Sequence, residues 1–388
     1  MSEFLLNEVC ELIVDCPHTT AKDEGEGFPL VRTPNIGKGR LVYDGMHRVC
    51  EDVYNKRNAR AIPQENDLIF AREATAGNVA LIQKGEKVCL GQRTVLIRPN
   101  QEIVNPAFLT YFLLAPKQQY NLLSTANGAT VAHVNLPTIR NLKIDLPELS
   151  TQHRIATILS RYDSLIENYQ KQIKLLEEAA QRLYKEWFVN LHFPGHENTK
   201  IVDGVPEGWE KKKLVDLVDV QYGYAFDGKL FNSNREGMPI LRIRNIPEGL
   251  TSDYTTEEAS NDYIVHNGDI VVGMDGIFHI NSWSGDDAYL VQRACSFRPK
   301  EECMKGFIFQ AIQEPIKFFE KTLVGATVAH LGKKHIDSIE LCVPKNFELY
   351  QPFSKFYNQR QGLLSQIRLL TEARDRLLPK LMSGEIAV

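Results

Sequence analysis

Residues 150–193 place the strongest constraint on the fold of this chain. The stretch contains neither Gly nor Pro, and Pro194-Gly195 follows it directly. Its apolar and aromatic side chains recur at alternating steps of three and four residues, which is the spacing of a coiled-coil seam. One helix of this length extends roughly 60 Å and cannot bury its own apolar strip, so the pattern predicts a partner helix. The predicted seam residues are Leu159, Tyr162, Ile166, Tyr169, Ile173, Leu176, Ala180, Leu183 and Trp187.

A candidate partner helix lies near the end of the same chain. The twelve residues 367–378 match residues 173–184 at seven positions. Arg360, Gly362 and Arg374 interrupt the apolar spacing of this second copy, so we expect it to be the weaker of the two helices. Its other seam positions are Phe353, Phe356, Leu363, Ile367, Leu370 and Leu377.

The duplication extends upstream of both helices. The hexapeptide Gly-Ala-Thr-Val-Ala-His at residues 128–133 recurs unchanged at residues 325–330. A six-residue identity within a collinear series predicts a tandem repeat of one globular module followed by one long helix. The other matches pair residues 28–36 with 238–246 and residues 90–99 with 290–299.

Each module is predicted to be mixed and rich in strands, because short β-branched runs alternate with Gly, Asn and Pro. We expect a hydroxyl of Ser150 or Thr151 to cap the first long helix, and the second to fray at Pro379 and Gly384. Residues 194–205 lack any regular period and predict a linker. The expected strands are 12–14, 67–70, 79–82, 94–97, 142–146, 240–243, 269–272 and 295–297, and the expected short helices are 106–114, 116–123, 307–312 and 315–321.

The net charge of −4 is unevenly distributed. Residues 201–350 carry 16 basic and 23 acidic side chains, a balance of −7 that argues mildly against nucleic-acid binding. Residues 31–60 carry seven basic and three acidic ones, a balance of +4, in loops that could meet phosphate. The chain begins without a secretory signal and has no apolar run of membrane-spanning length, so a cytoplasmic location is expected. Seven cysteines without a Cys-x-x-Cys pair argue against a disulfide framework and a zinc site.

The motifs of common enzyme classes are missing from the sequence. It has no phosphate-binding loop, no Gly-x-Gly-x-x-Gly, no Pro-Pro dipeptide of an amino-methyltransferase and no His-Glu-x-x-His. We therefore expect a chain without catalysis, metal or cofactor of its own. His133 and His330 repeat, but no acid or cysteine partners them at a useful spacing, so they are predicted to be structural or to contact phosphate.

Two copies of one fold joined by antiparallel helices are related by an approximate two-fold axis. Such a pair matches the dyad of duplex DNA, whose equivalent grooves recur about every 34–36 Å. The long helices would then act as a ruler between two readers. Because the copies differ in their loops, the predicted target is bipartite and asymmetric.

The whole chain resembles the specificity subunit of type I restriction–modification systems. The residues that carry the resemblance are the two hexapeptides, Lys143-Ile-Asp-Leu-Pro147, Gln152 with Arg154-Ile-Ala156, Val205-Pro-Glu-Gly-Trp209 and residues 377–385. The resemblance implies an α+β fold in which two mixed α/β target-recognition domains, residues 1–149 and 206–347, are joined by two long helices, 150–193 and 348–388. These would pair as an antiparallel coiled coil with pseudo-two-fold symmetry, and residues 194–205 would form the linker.

The resemblance also implies the partners. The chain would bind double-stranded DNA, be non-catalytic itself and recruit two methyltransferase subunits, which use S-adenosylmethionine. It would then recruit restriction subunits, motor-nucleases that use ATP and Mg. The seam residues would serve the helix pair and the partner interface.

Base contacts are expected from polar side chains on loops, Arg to guanine and Asn or Gln to adenine. Two other interpretations stay open. One is the recognition half of a fused methyltransferase–nuclease; the other is a coiled-coil scaffold that never touches DNA, which the acidity favours. The candidate DNA-binding residues are Arg32, Asn35, Lys38, Arg40, Lys56, Arg57, Arg72, Asn78 and Arg93 in the first module and Arg242, Arg244, Asn245, His279, Asn281, Arg293 and Lys333 in the second.

Overall fold

The computed structural model describes residues 2–124, 133–323 and 329–388. Most of both copies of the hexapeptide therefore lies outside the described residues, which include only His133, Ala329 and His330 of it. The chain divides into two compact units, residues 1–166 with 370–388, and residues 167–369. Each unit combines one globular domain with a segment of each long helix.

The first unit is built on a four-stranded antiparallel sheet. It comprises β1 (Ser2–Leu5), β2 (Cys10–Asp15), β3 (Phe28–Val31), β4 (His47–Val49), α1 (Glu51–Arg57), β5 (Leu68–Ala71), β6 (Val79–Leu81), β7 (Cys89–Leu90), β8 (Thr94–Pro99), α2 (Pro106–Leu114), α3 (Pro116–Leu123), α4 (Leu136–Arg140), β9 (Lys143–Leu146) and the start of α5 (Leu149–Tyr184). The main sheet has the order β2-β8-β5-β6, beside a three-stranded sheet β4-β3-β7 and the pair β1-β9. All four residues of β5 are buried, which explains its unbroken apolar sequence.

The second unit repeats this plan. It continues with β10 (Ile201–Val202), β11 (Val205–Pro206), β12 (Trp209–Lys213), α6 (Leu214–Leu217), β13 (Val218–Tyr222), β14 (Phe231–Asn232), β15 (Met238–Leu241), β16 (Tyr254–Thr255), β17 (Ile264–Val265), β18 (Ile270–Gly273), β19 (Ile280–Ser282), β20 (Ala288–Leu290), β21 (Ala294–Pro299), α7 (Lys305–Ala311), α8 (Gln313–Thr322), α9 (Lys333–Asp337), β22 (Glu340–Pro344) and α10 (Gln351–Ser383). Its main sheet, β13-β21-β18-β19, corresponds strand for strand to β2-β8-β5-β6, and β12-β22 corresponds to β1-β9.

The repeat is preserved in an ion pair of each main sheet, in which the aspartate is buried and the arginine is half-buried. Arg98 lies 2.7 Å from Asp67, and Arg298 lies 3.0 Å from Asp269, measured between guanidinium nitrogen and carboxylate oxygen. In each domain the aspartate directly precedes the central strand and the arginine lies in the neighbouring one. The tandem repeat predicted from the sequence is therefore confirmed at the level of side-chain contacts.

The first long helix begins and ends differently from the prediction. It starts at Leu149, so Ser150 and Thr151 lie inside its first turn instead of capping it. The α-helix ends at Tyr184 and passes into a π-helical turn, Lys185–Val189, short of the predicted end at residue 193. The aromatic residues beyond explain this end, because Phe188 and Phe193 both pack against Trp209 in the core of the second domain.

The predicted linker contains a hairpin that the sequence pattern did not suggest. Strands β10 and β11 pair across an Asp203-Gly204 turn, in which both residues have positive φ, 50° and 75°. This is the backbone that a two-residue turn between antiparallel strands requires, and Asp-Gly favours it.

The second long helix does not fray at Pro379, contrary to the prediction. It continues through this residue to Ser383. Leu378 and Leu381 are buried in the core of the first unit, and this burial offsets the hydrogen bond that a proline cannot donate. The helix ends before Gly384, whose φ of 76° suits the left-handed position that follows many helices.

Within each unit the helix segments pair antiparallel. Every predicted seam residue of both helices, all of them in the described part of the chain, is buried or half-buried. In the first unit, Leu159 near the start of α5 shares a core with Leu381 near the end of α10. In the second unit, Tyr184 and Trp187, at and just beyond the end of α5, contact Phe353 near the start of α10.

Candidate nucleic-acid interface

The first domain contains a carboxylate held between an arginine and a histidine. Glu73 lies just after β5, Arg93 just before β8 and His133 just before α4. One Glu73 oxygen is 2.7 Å from Nη1 of Arg93, and the other is 2.6 Å from Nδ1 of His133. The side chain of Arg93 is 62% exposed, whereas that of Glu73 is 17% exposed. A largely buried acid thus fixes the orientation of a solvent-facing guanidinium.

The second domain repeats this arrangement with a different acid. Asp275 forms an ion pair with Arg293, and its other oxygen is 2.6 Å from Nδ1 of His330. The arginine side chain is again exposed, at 65%. The backbone support is shared as well, because the residue before each acid donates its N–H to the carbonyl of the arginine, Arg72 to Arg93 at 2.9 Å and Met274 to Arg293 at 2.8 Å.

The acid in each cluster corrects the expectation that neither histidine has an acidic partner. Glu73 is 60 residues from His133 in the chain, and Asp275 is 55 residues from His330. The fold, not sequence spacing, brings these pairs together. The available signal was the repeated position of an acid two residues beyond the central strand of each module.

The charge state of the second cluster follows from its contacts. Burial alone would raise the pKa of Asp275, but hydrogen bonds from Arg293 and His330 outweigh it and hold the pKa below its ordinary value. The hydrogen bond to Asp275 and its negative charge raise the pKa of Arg293. Carboxylate and guanidinium are therefore both ionised at neutral pH.

The two clusters differ beside the histidine. In the first domain, Arg72 donates to Nε2 of His133 at 2.9 Å, so the ring carries its proton on Nδ1 and donates it to Glu73. Arg72 is buried and also donates to both oxygens of Asp15 and to the carbonyl of Val134. The sequence predicts that Arg72 contacts DNA, but these bonds make it an internal support of the cluster.

A turn that carries predicted residues follows β3 in the first domain and the corresponding strand, β15, in the second. The Asn35 side-chain oxygen accepts the backbone N–H of Arg32 at 3.2 Å. In the second domain, Asn245 accepts from Arg242 at 2.9 Å in the same way. Both asparagines are therefore local caps that shape the turn and place the arginine at its start.

A second pair of asparagines fastens these turns to the main sheets. Asn78 donates its amide to the carbonyl of Ile36, and Asn281 donates to the carbonyl of Ile246, each at 2.9 Å. Arg57 has a comparable role, because its buried guanidinium donates to the carbonyls of Pro17, Thr19 and Leu90. The geometry gives Asn35, Asn245, Asn78, Asn281 and Arg57 structural roles.

The remaining predicted DNA-binding residues lie nearer the surface. Arg32 is half-buried and donates to the carbonyl of Gly45, and Arg242 lies over the ring of Phe231, 5.2 Å from its centre. Arg244 is exposed and forms an ion pair with Asp253 at 2.7 Å. Lys38, Lys56 and Lys333 are exposed, whereas Arg40 and His279 are half-buried.

Across residues 2–124, 133–323 and 329–388, no cluster of three or more His, Cys, Asp or Glu side chains is arranged to hold a metal ion. Among the helices in these same ranges, none is long and apolar enough to cross a membrane.

Comparison with known proteins identifies the repeated unit. Residues 1–178 and 206–367 each match the type I restriction modification DNA specificity domain. The chain belongs to this family. Each match covers one of the two globular domains and much of the long helix that follows it, so the family unit is the repeat described above.

Relatives in the same family align with nearly all of this chain. Two type I restriction enzyme specificity subunits of Methanocaldococcus jannaschii, MjaIX and MjaVIII, are 25% and 28% identical to this chain. The alignments cover 96% of this chain and 90% and 89% of the relatives. The crystal structure of a type I restriction–modification S subunit from M. genitalium is also similar. Its alignment covers 98% of this chain and 95% of the M. genitalium chain, with a TM-score of 0.56 and 17% sequence identity. This likeness establishes a shared fold.

Proposed function

We propose that this chain reads an asymmetric, bipartite sequence in double-stranded DNA, one half with each domain. The observation that carries this proposal is the exposed arginine held by a carboxylate and a histidine, which recurs at the same position in both domains. The same surface cluster occurs in both domains, and in each it is built from side chains far apart in the sequence. This duplication favours a ligand that contacts both domains in the same way. The family to which the chain belongs is defined by DNA specificity.

The clusters suit phosphate. A guanidinium has five N–H donors in one plane, and the bond to Glu73 or Asp275 occupies only part of them. A partly anchored arginine loses less side-chain entropy when it binds, and its guanidinium is charged at neutral pH. Phosphate contacts of this kind orient a protein on the duplex without reading its sequence.

Base reading would come from the adjacent turns. The two turns share Arg and Asn but differ between them, Thr33-Pro34 in the first domain and Ile243-Arg244 in the second. Because the two turns are held in the same way but differ in their residues, they would read different half-sites. The candidates in the first domain are therefore Arg32, Lys38 and Arg40, and those in the second are Arg242 and Arg244, with Lys56, His279 and Lys333 as further contacts.

The proposal includes partners that carry the chemistry. We infer that methyltransferase and restriction subunits assemble on this chain and supply S-adenosylmethionine, ATP and Mg, while the chain itself is non-catalytic. The long helices offer a surface for this role, because Leu175 and Leu369 beside the seam remain 64% and 57% exposed. Apolar side chains exposed next to a helix pair favour a further protein partner.

A salt titration of the full chain tests DNA binding. The probe is a pool of random duplexes together with any sequence that the chain selects from it. Binding should weaken linearly in log affinity against log salt, with a slope of about −0.9 per phosphate contacted. A slope near zero would instead support a scaffold that does not touch DNA. Transfer of a labelled methyl group from S-adenosylmethionine by the chain alone would support the fused-enzyme interpretation.

A further inference from the structure

Two arginines that interrupt the apolar seam of α10 are each paired with an acid of α5. In the first unit, Nη1 of Arg374 lies 2.6 Å from Asp163, and the two side chains are 16% and 8% exposed. In the second unit, Nε of Arg360 lies 2.6 Å from Glu177, and the two side chains are 10% and 43% exposed. The seam is therefore not merely weakened at these positions, as its sequence predicts; it contains one specific ion pair in each unit.

The first pair is tied to its own domain. The hydroxyl of Tyr111 in α2 donates to the other oxygen of Asp163 at 2.5 Å. Tyr111 and Arg374 also line a cavity of about 200 Å³ together with Lys38. Lys38 lies three residues beyond Asn35, which caps the turn after β3; this turn and its counterpart after β15 are called the reading turns. One carboxylate thus joins both helices and the body of the domain.

The second pair is tied to the other domain by a longer chain of bonds. Arg360 donates to the hydroxyl of Ser282 at 2.5 Å and to the side-chain oxygen of Asn281 at 2.8 Å. Its guanidinium also lies over the ring of Phe309, 5.4 Å from the centre. Because the amide of Asn281 holds the carbonyl of Ile246, the bonds continue from the helix pair to the turn that carries Arg242 and Arg244.

Stability alone does not account for these contacts. Desolvation of a buried ion pair such as Asp163–Arg374 offsets much of its attraction, and well-packed apolar residues of similar volume are often as stable. Solvent screening weakens a pair such as Glu177–Arg360, in which one partner is exposed. A polar residue at one seam position can instead specify the register of a helix pair. Here each pair has bonds to both helices and to one domain, so its geometry determines how that domain is seated on the helices.

We infer that Asp163–Arg374 and Glu177–Arg360 are positioning pairs, each of which aligns one reading turn with its half of the DNA target. The inference rests on the proposed function, because it concerns the base preference of the two domains. Each pair should act only on the half-site read by its own domain. A pair that served folding alone would affect both halves, or neither.

The test replaces one pair by apolar residues. The double variant Glu177→Met/Arg360→Met keeps the seam filled but removes the bonds to Ser282 and Asn281. Full-length wild type and variant each select from a random duplex library, and the bound pools are sequenced. We expect the variant to lose about tenfold in discrimination between bases in one half of the motif, the value of one good base contact. The other half should be unchanged.

Two further variants make the result specific. Asp163→Met/Arg374→Met should weaken the opposite half of the motif. Arg376→Met, which removes an exposed arginine paired within α10, is the matched control and should leave both halves intact. Should Glu177→Met/Arg360→Met fail to fold, Arg360→Lys is used. Lysine keeps the charge but lacks the planar fork whose three separate nitrogens donate to Glu177, Ser282 and Asn281, so a smaller loss in the same half is expected.

The outcomes separate the two proposals. If the wild type selects no motif, the proposed function fails. If the wild type selects a motif and the folded variants select the same one, or lose both halves equally, the positioning inference is overturned while the proposed function stands.

Discussion

Arg93 and Arg293 both adopt a left-handed backbone, with φ of 63° and 70°, immediately before a central strand of their domains. This conformation costs an arginine of order 1 kcal/mol or more relative to the common backbone regions. Both copies keep this strained backbone at the same position. In both, the arginine also bonds to the acid and its side chain is exposed. Substitutions at these arginines can therefore distinguish the effect of the backbone conformation from the contribution of the side chain.

Glycine fits this backbone and isolates the contribution of the side chain. Arg93→Gly and Arg293→Gly should each weaken DNA binding for all sequences alike and reduce the magnitude of the salt slope by about one, the value of a phosphate contact. Lys143→Gln, which removes an exposed cation paired with Glu3, is the control and should leave the slope unchanged. Titrations of random duplex DNA over a range of salt provide the measurement. Unchanged slopes in both glycine variants would contradict a phosphate role.

The lowered pKa of Asp275 links this cluster to stability at acid pH. A carboxylate whose pKa is lower in the folded state stabilises the fold above its unfolded value of 3.8, and the contribution disappears as pH falls through the folded value. Asp275→Asn should therefore destabilise the second domain at pH 7 and approach wild type at an acid pH well below 3.8. Urea unfolding at both pH values measures this. Asp219→Asn, at an exposed position of β13, is the control. If Asp275→Asn remained less stable than wild type in acid, the lowered pKa of Asp275 would not be the source of its stabilising effect.

Local signals in the sequence predicted some elements to the residue. Both α2 and α3 begin at a proline, and the Asn105 side chain caps the first by accepting the N–H of Phe108 at 2.9 Å. These bounds depend on neighbours in the chain. The continuation of α10 through Pro379 could not be predicted in this way, because it depends on burial of Leu378 and Leu381 in a core formed by residues distant in the sequence.

The same limit applies to the candidate site. The repeat in the sequence indicates Arg93, Arg293 and both histidines. It does not indicate the acids that join them, because these differ between the copies, Glu73 and Asp275. Residue type alone also selected Asn35, Asn245 and Arg57, whose hydrogen bonds to the backbone became visible only in the fold. Polarity predicts a surface role only when no internal partner is available.

A pair of glycines in the second unit tests the packing of α10. A Cβ added at Gly306 in α7 would lie 2.1 Å from the backbone oxygen of Phe353, whereas one added at Gly362 meets no atom of the described residues within 4 Å. Gly306→Ala should destabilise the fold by roughly 1–3 kcal/mol through overpacking. Gly362→Ala should stabilise it by about 0.5–1 kcal/mol, because alanine favours a helix interior. Denaturant unfolding distinguishes the two; equal effects would mean that α7 and α10 are not in close contact.

The repeat predicts that recognition is modular. Replacing residues 206–345 by the matching part of a relative should change one half-site of the selected motif and leave the other as it is. The expectation follows from the separate cores of the two units, each with its own sheet and its own Arg–acid–His cluster. Library selection with the chimera gives the answer. A change in both half-sites would show that the two domains do not read independently.

The helix pair predicts the length of the unread spacer. Seven residues inserted into α5 between Ile166 and Glu167, and seven into α10 between Leu369 and Leu370, add one seam repeat at the division between the two compact units. Both ion pairs keep their surroundings, since Asp163 and Arg374 fall in the first unit and Glu177 and Arg360 in the second. The pair should lengthen by about 10 Å, and at about 3.4 Å per base pair the spacer should grow by roughly three base pairs while both half-sites stay the same. An insertion in α5 alone is the control and should impair binding, because it breaks the pairing of the seam. A variant that folds and selects the original spacer would exclude the helices as the measuring element.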